Sequence, residues 1–225
     1  MKKPARLALP LAFAALLAGC THGVEMKMAV DVLSEPEKAT VTYKGKVIGE
    51  TPKSFNVSTF EDVNSITAAI ADLDVVEKRI RIVSPEQAQV IIRMGKGGIS
   101  PVAKKLGMTR VLVFEYAEKV CFDSAKSDLK PDALPVLAKQ AEILNQYFPK
   151  AVAYVCGYTD ATGTDAFNDK LSLQRAEAVR LFLVNHNVDA ARLKTQGFGK
   201  QFEVAPNATV EGRALNRRTE VILPD

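Results

Sequence analysis

The chain is poor in the residues that catalysis normally uses. Tryptophan is absent from its 225 residues, histidine occurs twice and cysteine three times. His22 falls close to the N-terminus and His186 at the end of a helical run, places where a lone histidine is ordinarily solvated. No HExxH, GxSxG, GxGxxG or CxxC series occurs, so the sequence offers no zinc-protease, serine-hydrolase, dinucleotide or dithiol signature. "DATGTD", residues 160–165, lacks the acidic count and the distal Glu of a calcium loop. Without a poised nucleophile, base or ligand set, the expectation is a non-enzyme with no cofactor and no metal.

Charge of one sign is also scarce. The formal net charge is +4, and discounting Lys2, Lys3 and Arg6 of the first residues leaves +1. A nucleic-acid protein would show a basic patch or stripe. The cluster "GRALNRR", residues 212–218, is better read as supplying salt bridges within a sheet. Long apolar runs are missing as well. The run from Leu7 to Ala18 is shorter than the ~20 residues that span a bilayer. It follows a basic start and has the length of a signal-peptide core.

What is present is ordinary globular composition, 47% hydrophobic and 25% charged, enough for one large domain or two small ones. From Met28 the apolar spacing has a period of two, in "MAVDVL", "ATVTYKG", "SITAAIADL" and "KRIRIVSPEQAQVIIRM". Gly45, Gly49 and Pro52 punctuate it, which predicts short antiparallel strands in a small β-sandwich. "GKGGISP", residues 95–101, reads as a linker. Beyond it the period changes. "RVLVFEYAEKVCFD" is strand-like, and Leu134, Leu137, Ala141, Leu144 and Phe148 mark an amphipathic helix that is expected to become regular around Pro135. "AVAYVCGY" is a strand, "SLQRAEAVRLFLVN" a helix with Ala176, Val179 and Leu183 on one face, and "RLKTQGFGK" and "NRRTEVILP" are two strands. The order β-α-β-α-β-β predicts a two-layer sandwich, and the whole chain is α+β.

One stretch concentrates unlike charges. "GYTDATGTDAFNDKLSLQRA", residues 157–176, puts Asp160 just past a strand end and Arg175 on the following helix. Asn168 and Leu171 precede Arg175 by seven and four residues, so all three share one helical face. Arg forks two N–H groups to a carboxylate and Asp accepts from an ammonium. Together they match the end of an α-amino acid. Spacing alone leaves the alternative open that Asp160 and Arg175 simply bridge each other.

Three resemblances bear on these readings. Leu17-Ala18-Gly19-Cys20 resembles the lipobox of bacterial lipoproteins. It implies cleavage before Cys20, acylation of Cys20 and, with Thr21 rather than Asp following, sorting to the outer membrane. "SEPEKATVTYKGKVIGETP", residues 34–52, resembles the PEGA domain through Pro36, Ala39, Val41, Tyr43, Gly45, Gly49, Thr51 and Pro52, and departs from it at Lys44. "GYTDATGTDAFNDKLSLQRAEAV", "CFDSAKSDLKP" and "GFGKQFEVAPNATVEGRALNRRTEV" resemble, in order, the OmpA-like peptidoglycan-binding domain over residues 110–223. That resemblance implies that Asp160 and Arg175 hold the amino and carboxylate ends of diaminopimelate in the stem peptide. Thr159, Asn168, Leu171 and the backbone near Phe122 and Asp123 then line the pocket, with Arg218 at its border and Asn216 structural. Tyr158 stands where many members have His, and "KQFEVA" departs from an acidic residue and a Pro.

Cys121 and Cys156 both lie in strand-like runs and could join only if those strands were adjacent. The family's strand order, with the last strand between the two, implies that they stay apart and form no disulfide.

The organisation expected is therefore a signal peptide over 1–19, a lipidated tether over 20–27, a PEGA-like β domain over 28–95, a linker over 96–109 and an OmpA-like domain over 110–225. The expected protein is an outer-membrane lipoprotein facing the periplasm that grips peptidoglycan non-covalently. The alternative is an envelope assembly protein, a motility or secretion ring component, whose β domain binds a protein partner.

Overall fold

The computed structural model describes residues 28–95 and 98–224. The expected signal peptide, Cys20 and the tether lie outside the described residues. The first half is β-rich, as its period-two spacing predicts. It contains β1 (Met28–Glu35), β2 (Thr40–Tyr43), β3 (Lys46–Glu50), β4 (Lys53–Val57), the short helix α1 (Phe60–Asn64), β5 (Thr67–Ala69), β6 (Val75–Ser84) and β7 (Gln87–Met94). The second half begins with α2 (Pro101–Lys105), β8 (Val111–Ala117), α3 (Glu118–Cys121), α4 (Ala133–Tyr147) and β9 (Ala153–Gly157). It continues with α5 (Asp165–Asn185), a 3-10 turn at Ala190–Arg192, β10 (Leu193–Gly197), α6 (Val210–Asn216) and β11 (Arg218–Pro224). The expected β-α-β-α-β-β order is β8, α4, β9, α5, β10 and β11, with the short helices α3 and α6 added. Among the described residues no helix is long and apolar enough to cross a membrane.

Local chemistry explains the departures from the sequence reading. Lys44 and Gly45 both have positive φ, 48° and 76°, the pair of values that a two-residue primed turn needs between twisted strands. They close the β2–β3 hairpin, and Lys44 Nζ meets Asp62 Oδ1 at 2.8 Å. Helix α4 starts at Ala133, ahead of Pro135. In a first turn the proline's missing N–H would have had no intrahelical partner. The buried face of α4 is Ala133, Val136, Leu137, Gln140, Ala141 and Leu144, which leaves Leu134 exposed. Cys121 closes α3 rather than lying on a strand, and Cys156 is on β9; β11 runs between β8 and β9, and both thiols are free and buried. Burial pushes the Cys121 thiol up to about 12 and the Cys156 thiol up as well.

The strands form one eight-stranded sheet, ordered β10-β9-β11-β8-β6-β7-β1-β4, and a three-stranded sheet, β3-β2-β5. The small sandwich expected for residues 28–95 is thus not a closed unit. β6 runs parallel to β8 from Glu77 opposite Val111 to Ile82 opposite Tyr116. The glycine-rich segment connects two parts of a single sheet, and β6 covers an edge of β8 that would otherwise present unpaired main-chain groups. One face of the large sheet carries Val30, Val32, Ile80, Ile82, Val90, Phe114 and Val221 in one apolar cluster. Val41 and Ala68 of the small sheet, Leu137 and Leu144 of α4, and Ala176, Val179 and Leu183 of α5 complete it. On the opposite face Val102 and Ala103 of α2 pack with Val111, Val113, Cys156 and Ile222.

That opposite face also buries a row of charges, carried in part by the alternating run "EKRIRIV" of β6. Glu115 and Glu220 stand directly opposite each other on β8 and β11. Arg79 on β6 answers both, with Nη1 at 2.5 Å from Glu115 Oε2 and 2.6 Å from Glu220 Oε1, while its Nε meets Glu77 Oε1 at 3.0 Å. Arg93 extends the row to β7 through Glu77, and Arg218 Nε donates to Glu220 Oε1 at 2.9 Å. Burial alone would raise the Glu220 carboxyl, but Arg79 and Arg218 bring it down to about 2. Removing one member of such a buried set is far costlier than the set is worth as a whole.

Two close approaches seat α5 on the sheet. A Cβ on Gly157 would lie 1.9 Å from the Ser172 carbonyl oxygen, and one on Gly197 would lie 2.6 Å from the Leu173 amide nitrogen. Only glycine permits this contact of helix with β9 and β10.

Arg79→Met should destabilise the fold by about 3–5 kcal/mol, because Glu115 and Glu220 are then buried face to face; a urea melt measures this. In the unaltered chain the stability given by ionised Glu220 is full above its ordinary value of 4.5 and is lost as pH falls through about 2. In the variant the facing glutamates should take up protons in the fold, so its stability deficit should be largest near neutral pH and narrow as pH falls below the ordinary carboxyl range. Gly157→Ala should lower the melting temperature, since α5 must move off β9; a melting curve like that of the unaltered chain would contradict the contact.

Candidate functional site

β8 and β9 end, and β11 between them begins, at one end of the large sheet, and these strand termini carry the site. β11 pairs with β8 at Arg218–Ala117 and with β9 at Thr219–Gly157. The residues just beyond these pairs are therefore side by side: Glu118 after β8, Arg217 before β11, and Tyr158, Thr159 and Asp160 after β9. Main-chain bonds extend the ladder, from Glu118 N–H to Arg217 O at 2.9 Å and from Tyr158 N–H to Arg218 O at 3.0 Å. The chain then turns through Gly163, at φ 88°, into α5. Thr164 caps that helix by accepting from Phe167 N–H at 3.3 Å. Asn168, Leu171 and Arg175 come from the helix face turned to the protein, and all three are buried.

Asp160 and Arg175 do not bond to each other. Asp160 Oδ2 accepts from Arg217 Nη1 at 2.7 Å and Oδ1 accepts from the Thr162 amide at 2.8 Å. Arg217 Nε donates to Glu118 Oε2 at 2.5 Å, and Glu118 Oε1 accepts from Arg175 Nη2. The four charges form the alternating line Asp160–Arg217–Glu118–Arg175. Burial pushes the Asp160 carboxyl up, but Arg217 and the Thr162 amide outweigh it and hold the group below the usual carboxylate range. For Arg217 the desolvation is likewise outweighed, by Asp160 and Glu118, and its guanidinium is held more firmly protonated. Arg175, 1% exposed, also donates from Nε to the Lys126 carbonyl at 2.9 Å and from Nη2 to the Asp123 carbonyl at 3.4 Å. Its guanidinium carbon lies 5.2 Å from the Phe122 ring centre, within cation–π range.

The remaining residues expected from the sequence divide into two groups. Thr159 is buried beside Asp160, its N–H on the Gly199 carbonyl at 2.8 Å. Asn168 donates to the Thr162 carbonyl at 3.0 Å and so fixes the loop that carries Asp160. Phe122 and the Asp123 backbone touch Arg175, while the Asp123 side chain is exposed toward Lys126. Leu171 borders a depression of about 350 Å³ between the 125–128 loop and α5, lined also by Phe167, Lys170 and Gln174. Arg218 is the correction. Alternation along β11 turns it to the opposite face of the sheet, where it stacks 3.7 Å from the Tyr158 ring centre and bonds Glu220. Asn216 is structural, holding the amides of Val204 and Ala205 at 2.8 and 3.1 Å.

Sequence reasoning missed Glu118 and Arg217 as members of the site. Arg217 lay in the quoted "NRR" with its neighbour chosen instead, and strand alternation past the end of β11 was the signal that separates the two. Glu118 looked like one more polar residue in "YAEKV", and only the pairing of β8 with β11 brings it between two arginines.

The profile of the OmpA family matches residues 121–217. Among curated proteins, the chain is 42% identical over 112 residues to "Probable lipoprotein YiaD" of Escherichia coli, covering 50% of this chain and 51% of that protein. It is 34% identical over 140 residues to a peptidoglycan-associated lipoprotein of Mesorhizobium japonicum, covering 62% of this chain and 80% of that protein. Among solved structures, the cell wall anchor of the T6SS from Pseudomonas aeruginosa aligns at 30% identity and a TM-score of 0.46, covering 54% of this chain and 91% of that chain. The chain spans about half the length of the first of these relatives. With its matched segment running from the end of α3 to the start of β11, around Asp160, Asn168 and Arg175, the chain belongs to the OmpA family.

Proposed function

We propose that this protein binds peptidoglycan non-covalently through the diamino acid of the stem peptide. The free ammonium of that residue is received by Asp160 and the carboxylate on the same carbon by Arg175. Thr159, Asn168, Leu171, Phe122 and the Asp123 backbone shape the place it occupies. The observation that carries this reading is that Asp160 and Arg175, opposite in charge and close in the fold, each reach the same group of residues without bonding to one another. The Mesorhizobium relative, named as peptidoglycan-associated, supports it. In this reading the protein is a binder rather than an enzyme.

We extend the proposal to an anchor and a location. Acylated Cys20 would hold the chain in the outer membrane with its folded part in the periplasm, so that wall and membrane are tied together. Several acyl chains, each methylene worth ~0.8 kcal/mol, suffice for stable attachment. Confinement beside the wall raises the effective concentration of the site, so a modest single-site affinity is enough. The PEGA-like region over 28–95 would then face an envelope protein partner. The second reading, an assembly protein, makes that contact primary.

Full-length protein in detergent should sediment with isolated sacculi, and free diaminopimelate should compete. Asp160→Asn keeps the shape and removes the charge. It should reduce sedimentation about tenfold or more, on the scale of a lost charge-assisted bond, while the circular dichroism spectrum is unchanged. Undiminished sedimentation of that variant would refute the site. Cys20→Ala should move the protein from the membrane fraction to the soluble fraction of cells; unchanged partitioning would end the anchoring proposal.

A further inference from the structure

Both charges of the candidate site have partners within the chain. Asp160 already has a cation on it and Arg175 already has an anion on it. These are the two roles that the zwitterionic ligand of the proposed function would fill. We infer that the Glu118–Arg217 pair is a built-in occupant of the site that the ligand must displace, so that Glu118 sets both affinity and selectivity. The inference rests on the wall-binding reading.

Geometry makes the exchange feasible. Glu118 uses one oxygen for Arg175 and the other for Arg217, and Arg217 uses Nε for Glu118 and Nη1 for Asp160. A ligand carboxylate on Arg175 and a ligand ammonium on Asp160 would break the two outer contacts and leave the inner Nε–Oε2 contact intact. Neither displaced group is then a lone buried charge, which is the outcome that makes breaking ion pairs costly. Arg175 keeps its main-chain contacts to Lys126 and Asp123 throughout and stays aimed at the site.

The same arithmetic gives selectivity. Asp160, Arg217, Glu118 and Arg175 sum to no net charge. A ligand with both an ammonium and a carboxylate keeps that balance. A ligand with a carboxylate alone would leave one negative charge uncompensated among largely buried groups. The pair therefore filters for a group that carries both charges on one carbon, the free end of a diamino acid. Glu118 acts here as a positioning and competing residue, not as a contact made in the bound state.

The test is isothermal titration of the full chain in detergent with meso-diaminopimelate and with pimelate, which has the same length but no amines. Glu118→Gln removes the competing charge and keeps the shape. It should bind diaminopimelate about tenfold more tightly, on the scale of one charge-assisted hydrogen bond no longer to be broken. Its preference for diaminopimelate over pimelate should narrow, a change that a merely structural role would not produce. Arg217→Gln tests the other half and stands in for the first variant if that one fails to fold, since its target is partly exposed. It should gain binding of 1,7-diaminoheptane, which has amines and no carboxylate. A folded Glu118→Gln that binds diaminopimelate no more tightly than the unaltered chain overturns the inference and leaves the wall-binding reading in place. Binding by the variant where the unaltered chain shows none supports it. Absence of binding in both overturns the inference and the function together.

Discussion

The pairing of β11 between β8 and β9 is the constraint on which the rest of the molecule depends. It is a main-chain interaction, indifferent to the side chains it carries, yet its register decides which charges meet. Arg218 opposite Ala117 and Thr219 opposite Gly157 place Arg217 between Glu118 and Asp160 at the strand ends. The same register places Glu220 opposite Glu115 in the middle of the sheet. A slip of one residue would exchange the faces. It would send Arg217 into the interior and turn Arg218 toward Asp160, so both charge systems would fail at once.

The two systems use burial differently. In the middle of the sheet, two facing glutamates are made tolerable by Arg79, which reaches both, by Arg81 on Glu115 at 2.5 Å, and by Arg218 and the Tyr158 hydroxyl on Glu220, the latter 2.9 Å from Oε2. Every partner there is internal, and the arrangement favours a single register over any other. At the sheet edge the line of four charges has one weakly solvated end, Arg175, and one partly open member, Arg217, whose side chain is 29% exposed. Charges fixed among buried groups cannot exchange partners cheaply, whereas those at the rim can. Under the proposed function, Arg217 at the rim is the member that can give way to a ligand. The tight seating of α5 through Gly157 and Gly197 keeps Arg175 from following its partner outward.

Much of this was legible in the sequence. Period and punctuation gave the strands of the first half, and the helical spacing of Ala176, Val179 and Leu183 gave the buried face of α5. Asp160 could be placed at a strand end and Asn168 and Arg175 on one helix face, because these are local properties. What the sequence did not disclose was nonlocal. "EKRIRIV" alternates charge with apolar residues just as an amphipathic surface strand does, and only the packing of α2 and the 198–202 loop shows that the charged side is covered. The glycines at 95, 97 and 98 read as a domain boundary because flexible composition is common between domains. Nothing in the chain up to residue 98 says that β6 will find β8. Glu118 and Arg217 escaped for the same reason, since each becomes meaningful only when strands distant in sequence are laid together.

The continuity of the large sheet bears on how a wall tether would carry load. Under the proposed anchoring, tension enters at β1, immediately after an eight-residue segment that can reach at most roughly 29 Å from the membrane. It leaves through the Asp160–Arg175 edge. β1 is hydrogen-bonded along its length to β7 and β4, β7 to β6, and β6 to β8. Among the described residues the load thus passes across hydrogen-bonded strands and the Arg93–Glu77–Arg79–Glu220 row that spans them. Two modules on a glycine linker would hold the membrane and wall at a variable distance. A single sheet fixes the Asp160–Arg175 end relative to the start of β1, so under the proposed anchoring the short segment before β1 alone sets how far the site can lie from the membrane.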